Sequence, residues 1–81
     1  MKEPAKDQSV LKHIQELAAA EHKLFLQESL TADEAARLKK IQVELDQYWD
    51  LLRQRQARRA AGQNPNEAHI RSPKIVENYE Q

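Results

Sequence analysis

Between Thr31 and Gly62 the chain contains neither glycine nor proline, and Leu38, Ile41, Leu45, Tyr48 and Leu52 recur at alternating steps of three and four. That spacing keeps one seam of a straight helix facing a partner. Both ends of the helix are written into the sequence. Thr31-Ala32-Asp33-Glu34 fits a capping box, in which the Thr31 hydroxyl accepts from the Glu34 N–H and the Glu34 side chain accepts from the Thr31 N–H. Gly62 supplies the left-handed residue that stops a helix. The spacing therefore predicts one amphipathic helix over 32–61.

A first helix is expected over about 8–28, beginning after Asp7 or Ser9, either of which can cap it. Its stripe is Val10, Leu11, Ile14, Leu17, Ala18, Leu24 and Phe25, interrupted by Glu21. The short connection Ser29-Leu30-Thr31 makes the two helices antiparallel neighbours. That register brings Val10 near Trp49 and Leu52, Leu17 near Ile41 and Leu45, and Glu21 near Lys39 and Lys40. At 1.5 Å per residue the second helix is ~45 Å long and the first ~30 Å. The surplus, Arg53 to Ala61, needs support from elsewhere.

Residues 1–7 are expected as a flexible start, 8–62 as the hairpin and 63–81 as a tail. Gln63-Asn64-Pro65-Asn66 is a turn-rich break. Beyond it Ile70, Ile75, Val76 and Tyr79 stand among polar residues, a pattern compatible with a disordered end or with docking, including a short helical turn from Pro73 to Tyr79.

An 81-residue chain allows one small domain whose core rarely supplies more than ~3–5 kcal/mol without a partner. It has no cysteine, which removes disulfides and thiolate metal sites. Its 13 basic and 13 acidic side chains cancel, so bulk charge does not drive it onto nucleic acid or anionic lipid. No segment reads as a signal peptide or a membrane span, and a cytoplasmic location is expected.

Candidate chemistry is sparse. His13 and Glu16 lie three apart, as in helical di-iron sites, but the further inward carboxylates such a site needs are missing. No metal or cofactor is expected, and His13 and His22 read as solvent-facing. Glu21 is either paired with Lys39 or Lys40, lies at an edge, or sets the register. No nucleophile stands beside a base and no glycine-rich phosphate loop occurs, so no enzyme activity is expected. Arg53, Arg55, Arg58 and Arg59 are candidate anion-binding residues, or simply cations complementing the helix C-terminus. Tyr48 and Trp49 are either core or an interface hot spot.

Glu21-His22, the run from Val43 through Glu44-Leu45-Asp46-Gln47-Tyr48-Trp49-Asp50-Leu51-Leu52 to Arg53-Gln54-Arg55, Ala61-Gly62, and Val76-Glu77-Asn78-Tyr79 together resemble a family of short bacterial proteins, frequent in actinobacteria: domain of unknown function family 2630. The resemblance covers nearly the whole chain, and the Glu44 to Arg55 run is its most specific part. It implies a stand-alone small helical protein with no assigned activity, and it favours a docked tail. The expectation is thus an all-α protein, an antiparallel, coiled-coil-like two-helix hairpin with an irregular, partly docked C-terminal extension, dimerising into a four-helix arrangement. Leu38, Ile41, Leu45, Tyr48, Trp49 and Leu52 are the expected interface. The expected role is a non-enzymatic adaptor or regulator that binds itself and another protein. The alternative is a nucleic-acid or nucleoprotein accessory factor, of the RNA polymerase or ribosome type, using the arginines or the acidic hairpin tip at Glu28, Asp33 and Glu34.

Overall fold

Thr31 and Gly62 delimit the longest element as their chemistry requires. The computed structural model describes residues 6–79, with side chains as far as Val76. Within them lie α1 (Asp7–Phe25), α2 (Ala32–Ala60), a single 3-10 turn (Pro65–Glu67) and α3 (Pro73–Tyr79), and no strand occurs among the described residues. At the start of α2, Thr31 Oγ1 accepts from the Glu34 N–H at 3.1 Å, and the Glu34 carboxylate accepts from the Thr31 N–H at 3.0 Å. The Thr31 N–H also holds the Glu34 carboxyl below its ordinary range. At the other end Gly62 has φ 75°, the Gly62 N–H donates to Arg59 O at 3.1 Å, and the Gln63 N–H donates to Arg58 O at 2.7 Å. These two bonds are the Schellman pair that satisfies the last carbonyls of a helix.

The first helix departs from its expected ends. Lys6 occupies the N-cap position and no side chain caps it. Asp7 is the first helical residue, and its carboxylate binds Arg55 at 2.7 Å and Arg59 at 2.9 Å instead of capping. Its charge still meets the positive end of the α1 dipole. Of the expected flexible start, residues 1–5 lie outside the described residues. At the far end α1 stops at Phe25, short of Glu28, because the chain reverses between Leu26 and Leu30 to enter the Thr31 cap.

Two contacts fix the antiparallel register: Asp7 with Arg55, and His13 stacked on Tyr48 with ring centroids 4.2 Å apart and planes at 28°. Going forward along α1 moves backward along α2. Around these contacts the core collects Val10, Ile14, Leu51, Leu52 and Ala68, with Leu45, Tyr48 and Ile70 packed against it. His13 is therefore half-buried rather than solvent-facing, while His22 is exposed. Glu21 is half-buried, and among the described residues no ion pair joins it to Lys39 or Lys40. In the tail Val76 is buried and Ile70 packs against the core but Ile75 is exposed, and Ala68, which was not among the expected docking residues, enters the core. The side chain of Tyr79, also expected to dock, lies outside the described residues.

Arg55 is 4 % exposed and ties three segments together. Its Nε donates to Asp7 Oδ1 at 2.7 Å, and its Nη1 donates to Pro65 O at 3.2 Å and to Asn66 Oδ1 at 3.0 Å. Removing Asp7 leaves that guanidinium enclosed without its counter-charge. Asp7→Ala is expected to cost about 2 kcal/mol in urea unfolding, below the ~3–5 kcal/mol of a fully enclosed pair, because Asp7 keeps 26 % of its side chain exposed. Asp7→Ala combined with Arg55→Met is expected to recover part of that loss.

The Arg59 and Arg55 side chains hold the Asp7 carboxyl below its ordinary value of 3.8. Because the folded value is the lower one, this stabilisation is complete above about pH 4. It fades as the pH falls through the folded value, where native Asp7 is protonated. The stability gap between the wild type and Asp7→Asn is expected to be constant from pH 7 to 5 and to close toward pH 2. A gap that widened with acid would contradict this sign.

Candidate functional site

Successive residues of an α-helix are turned by about 100°, so three neighbours can each take a third of the circumference of α2. The first third carries Ile41, Leu45, Tyr48, Leu52, Arg55 and Arg59 and faces α1. Ile41, Leu52 and Arg55 on it are buried, Tyr48 stacks on His13, and Arg59 holds Asp7.

The second third, Gln47, Asp50, Leu51, Gln54 and Arg58, faces the C-terminal segment. Asn64 starts it, its Oδ1 accepting from the Asn66 N–H at 3.0 Å, and Pro65 opens the 3-10 turn. That turn presents Pro65 O and Asn66 to Arg55 and sets Ala68 into the core. The chain then runs extended past two glutamines, which are two helical turns apart. Gln54 Nε2 donates to His69 O at 2.7 Å, and Gln47 Nε2 donates to Arg71 O at 3.0 Å. Between them Asp50, 4 % exposed, accepts from Gln54 at 2.9 Å and pairs with Arg71 Nε at 3.5 Å. Glutamine suits this work because its amide satisfies main-chain carbonyls whatever side chains the segment carries. The segment is thus held through its main-chain carbonyls as well as through Ala68, Ile70 and Arg71.

Sequence reasoning did not single out Gln47, Leu51 or Gln54, and it reads Asp50 with Asp46 as a pair on the outer face of the helix, whereas Asp50 is buried. Their spacing of three and four was visible, but a polar row on a helix ordinarily reads as a solvated face.

The last third of α2 is the most open among the described residues, with Gln42, Trp49, Arg53 and Gln56 exposed and Asp46 half-buried. Gln42, Asp46, Trp49, Arg53 and Gln56 lie on it, and Trp49 at its centre is 43 % exposed. Leu11 of α1, two residues before His13, is 38 % exposed on the same flank of the hairpin. The six residues expected as one interface are therefore divided. Ile41 and Leu52 are buried within the hairpin, Leu38, Leu45 and Tyr48 are half-buried, and Trp49 alone of the six is exposed.

The four arginines are divided as well. Arg55 is enclosed, Arg59 is paired with Asp7, and Arg58 makes long contacts of 3.5 Å to Glu67 and Gln63. Arg53 is exposed and has no ion-pair partner among the described residues. A shallow groove of about 200 Å³, lined by Asp50, Arg53, Gln54, Ala57 and Arg71, runs beside it. A larger open groove of about 480 Å³ near the hairpin turn is lined mainly by α1, including Ala19, Ala20 and Leu24. Among the described residues no three His, Asp or Glu side chains converge as a metal site, and no helix is long and apolar enough to cross a membrane.

A helical hairpin clasped by its own C-terminal segment, with one face of the long helix left open, defines the class of molecule. The chain belongs to the family described as protein of unknown function DUF2630, whose pattern matches residues 6–81. It is similar to an uncharacterised protein of Mycobacterium bovis and to uncharacterised proteins of two Mycobacterium tuberculosis strains. Each is 43 % identical over 77 residues, which is 90 % of this chain and 88 % of the relative. No solved structure matches.

The glutamine pair yields a direct expectation. Gln47→Ala combined with Gln54→Ala should raise amide exchange at Ala68 to Ser72 on the order of tenfold or more, both glutamine hydrogen bonds to the segment's carbonyls being lost. Exchange at Ile14 and Leu52 should change little, as hydrogen-exchange mass spectrometry resolves.

Proposed function

We propose that this protein is a non-enzymatic interaction module, a small cytoplasmic adaptor or regulator that works as a homodimer and offers helical surface to a further protein. The observation that carries this reading is the uncovered third of α2, with a half-exposed tryptophan at its centre. Tryptophan is the residue type most enriched where binding energy concentrates, and burying its remaining surface is favourable without any new fold. The small core points the same way, since the eight buried apolar residues among the described ones leave little reserve for a solitary domain.

Trp49→Ala is expected to abolish assembly while leaving helix content by circular dichroism unchanged. A complex retained at full strength by this variant would refute the proposal.

A second reading is an accessory factor for nucleic acid or nucleoprotein, and the groove between Arg53 and Arg71 favours it. Arg55 and Arg59 are held by Asp7 at 2.7 and 2.9 Å, so such contacts fall to Arg53 and to Arg58 and Arg71, whose pairs with Glu67 and Asp50 are longer at 3.5 Å. On this reading binding weakens steeply with salt, and changing those three to Gln flattens the dependence. Salt-insensitive binding would count against it.

A further inference from the structure

We infer that the open face of α2 is built to receive a second copy of itself, α2 against α2 in antiparallel sense, about a twofold axis beside Trp49. This rests on the reading of that face as an interaction surface and adds the partner and its orientation.

The inference starts from charge placement. Asp46 lies one turn before Trp49 and Arg53 one turn after it, and all three project from the same third of the helix. Neither Asp46 nor Arg53 has an ion-pair partner among the described residues. An isologous contact requires a patch complementary to itself, so that each residue meets its partner twice. Two copies of α2 laid antiparallel, with the axis midway between these charges, set Asp46 of one against Arg53 of the other at both ends. The two Trp49 rings then meet near the axis, enclosed by two ion pairs.

Neighbouring positions fit the same arrangement. Gln42 falls opposite Ala57, Lys39 opposite Ala60, and Val43 opposite Gln56, so no like charges oppose, and small residues admit the longer ones. Leu11 on the same flank extends the apolar area toward the second copy. A parallel pairing of the same face sets Asp46 on Asp46 and Arg53 on Arg53, two like-charge contacts that an antiparallel pairing avoids. Around Trp49 the other two sides of α2 are occupied by α1 and the C-terminal segment, so the second copy meets the side they leave open.

Light scattering on the eluting full chain is expected to give twice the 9.4 kDa monomer mass. Asp46→Arg and Arg53→Asp should each raise the dimer dissociation constant on the order of tenfold or more, because each creates two like-charge contacts. The double exchange, Asp46→Arg with Arg53→Asp, should restore the dimer. Orientation is tested separately by cross-linking, since the chain has no native cysteine. A chain carrying both Gln42→Cys and Ala57→Cys is expected to form an intermolecular disulfide, whereas either change alone is not.

Cross-linking by the single variants, or no restoration by the double exchange, overturns the antiparallel arrangement. If Trp49→Ala still dissociates the dimer in that case, the face remains the interaction surface and only this geometry falls. A wild-type chain that stays monomeric at every concentration also overturns the inference. Should a different protein then bind in a Trp49-dependent way, the interaction reading survives it.

Discussion

Arg55 carries a full positive charge where water is nearly excluded, and the fold is arranged around satisfying it. A buried guanidinium is tolerable only with a counter-charge and hydrogen-bond acceptors in good geometry. Asp7 supplies the charge from the first turn of α1, and Pro65 and Asn66 supply acceptors from the turn after α2. One side chain thereby fixes where α1 begins against α2 and where the chain returns after Gly62. The Schellman ending of α2 aims the chain back toward that point, and the 3-10 turn delivers Ala68 into the core beside Val10.

The return of the C-terminal segment resolves the mismatch in length between the helices. Fewer residues form α1 than α2, so α2 extends beyond it and needs another neighbour. The 3-10 turn supplies one through Pro65, Asn66 and Glu67 at Arg55 and Arg58, and the stretch around His69 and Arg71 continues along a second side of α2, held through its carbonyls by Gln54 and Gln47. This clasp is polar where the hairpin seam is apolar. The apolar seam gives driving force without direction, and the polar clasp gives position at modest net energy. With both in place, two sides of α2 around its middle are used, and the face around Trp49 stays open there.

Much of the hairpin was legible because its signals are local. The capping box at Thr31, the stop at Gly62 and the seam through Leu38, Ile41, Leu45, Tyr48 and Leu52 each involve residues within a turn or two. The candidate site was legible only in fragments. Trp49 was recognisable as an aromatic flanking the seam, but not as the one member of the six expected interface residues to remain exposed. Arg55 was grouped with three other arginines on a basic surface, and nothing in its neighbours marks it as buried. Asp7 read as a cap, since an acid at a helix start is ordinarily there for the backbone.

Sequence by itself determined that this chain forms two amphipathic helices, where the second begins and ends, and that they lie antiparallel, because periodicity, capping and a short connection act over a few residues. Only the tertiary structure decided which polar residues are structural. Gln47, Asp50, Gln54 and Arg55 resemble any solvated row until the C-terminal segment is brought against them. Their roles depend on partners 10 to 48 residues away along the chain, and no local pattern encodes a contact of that range. The same long-range closure left the Trp49 face as the uncovered part of α2.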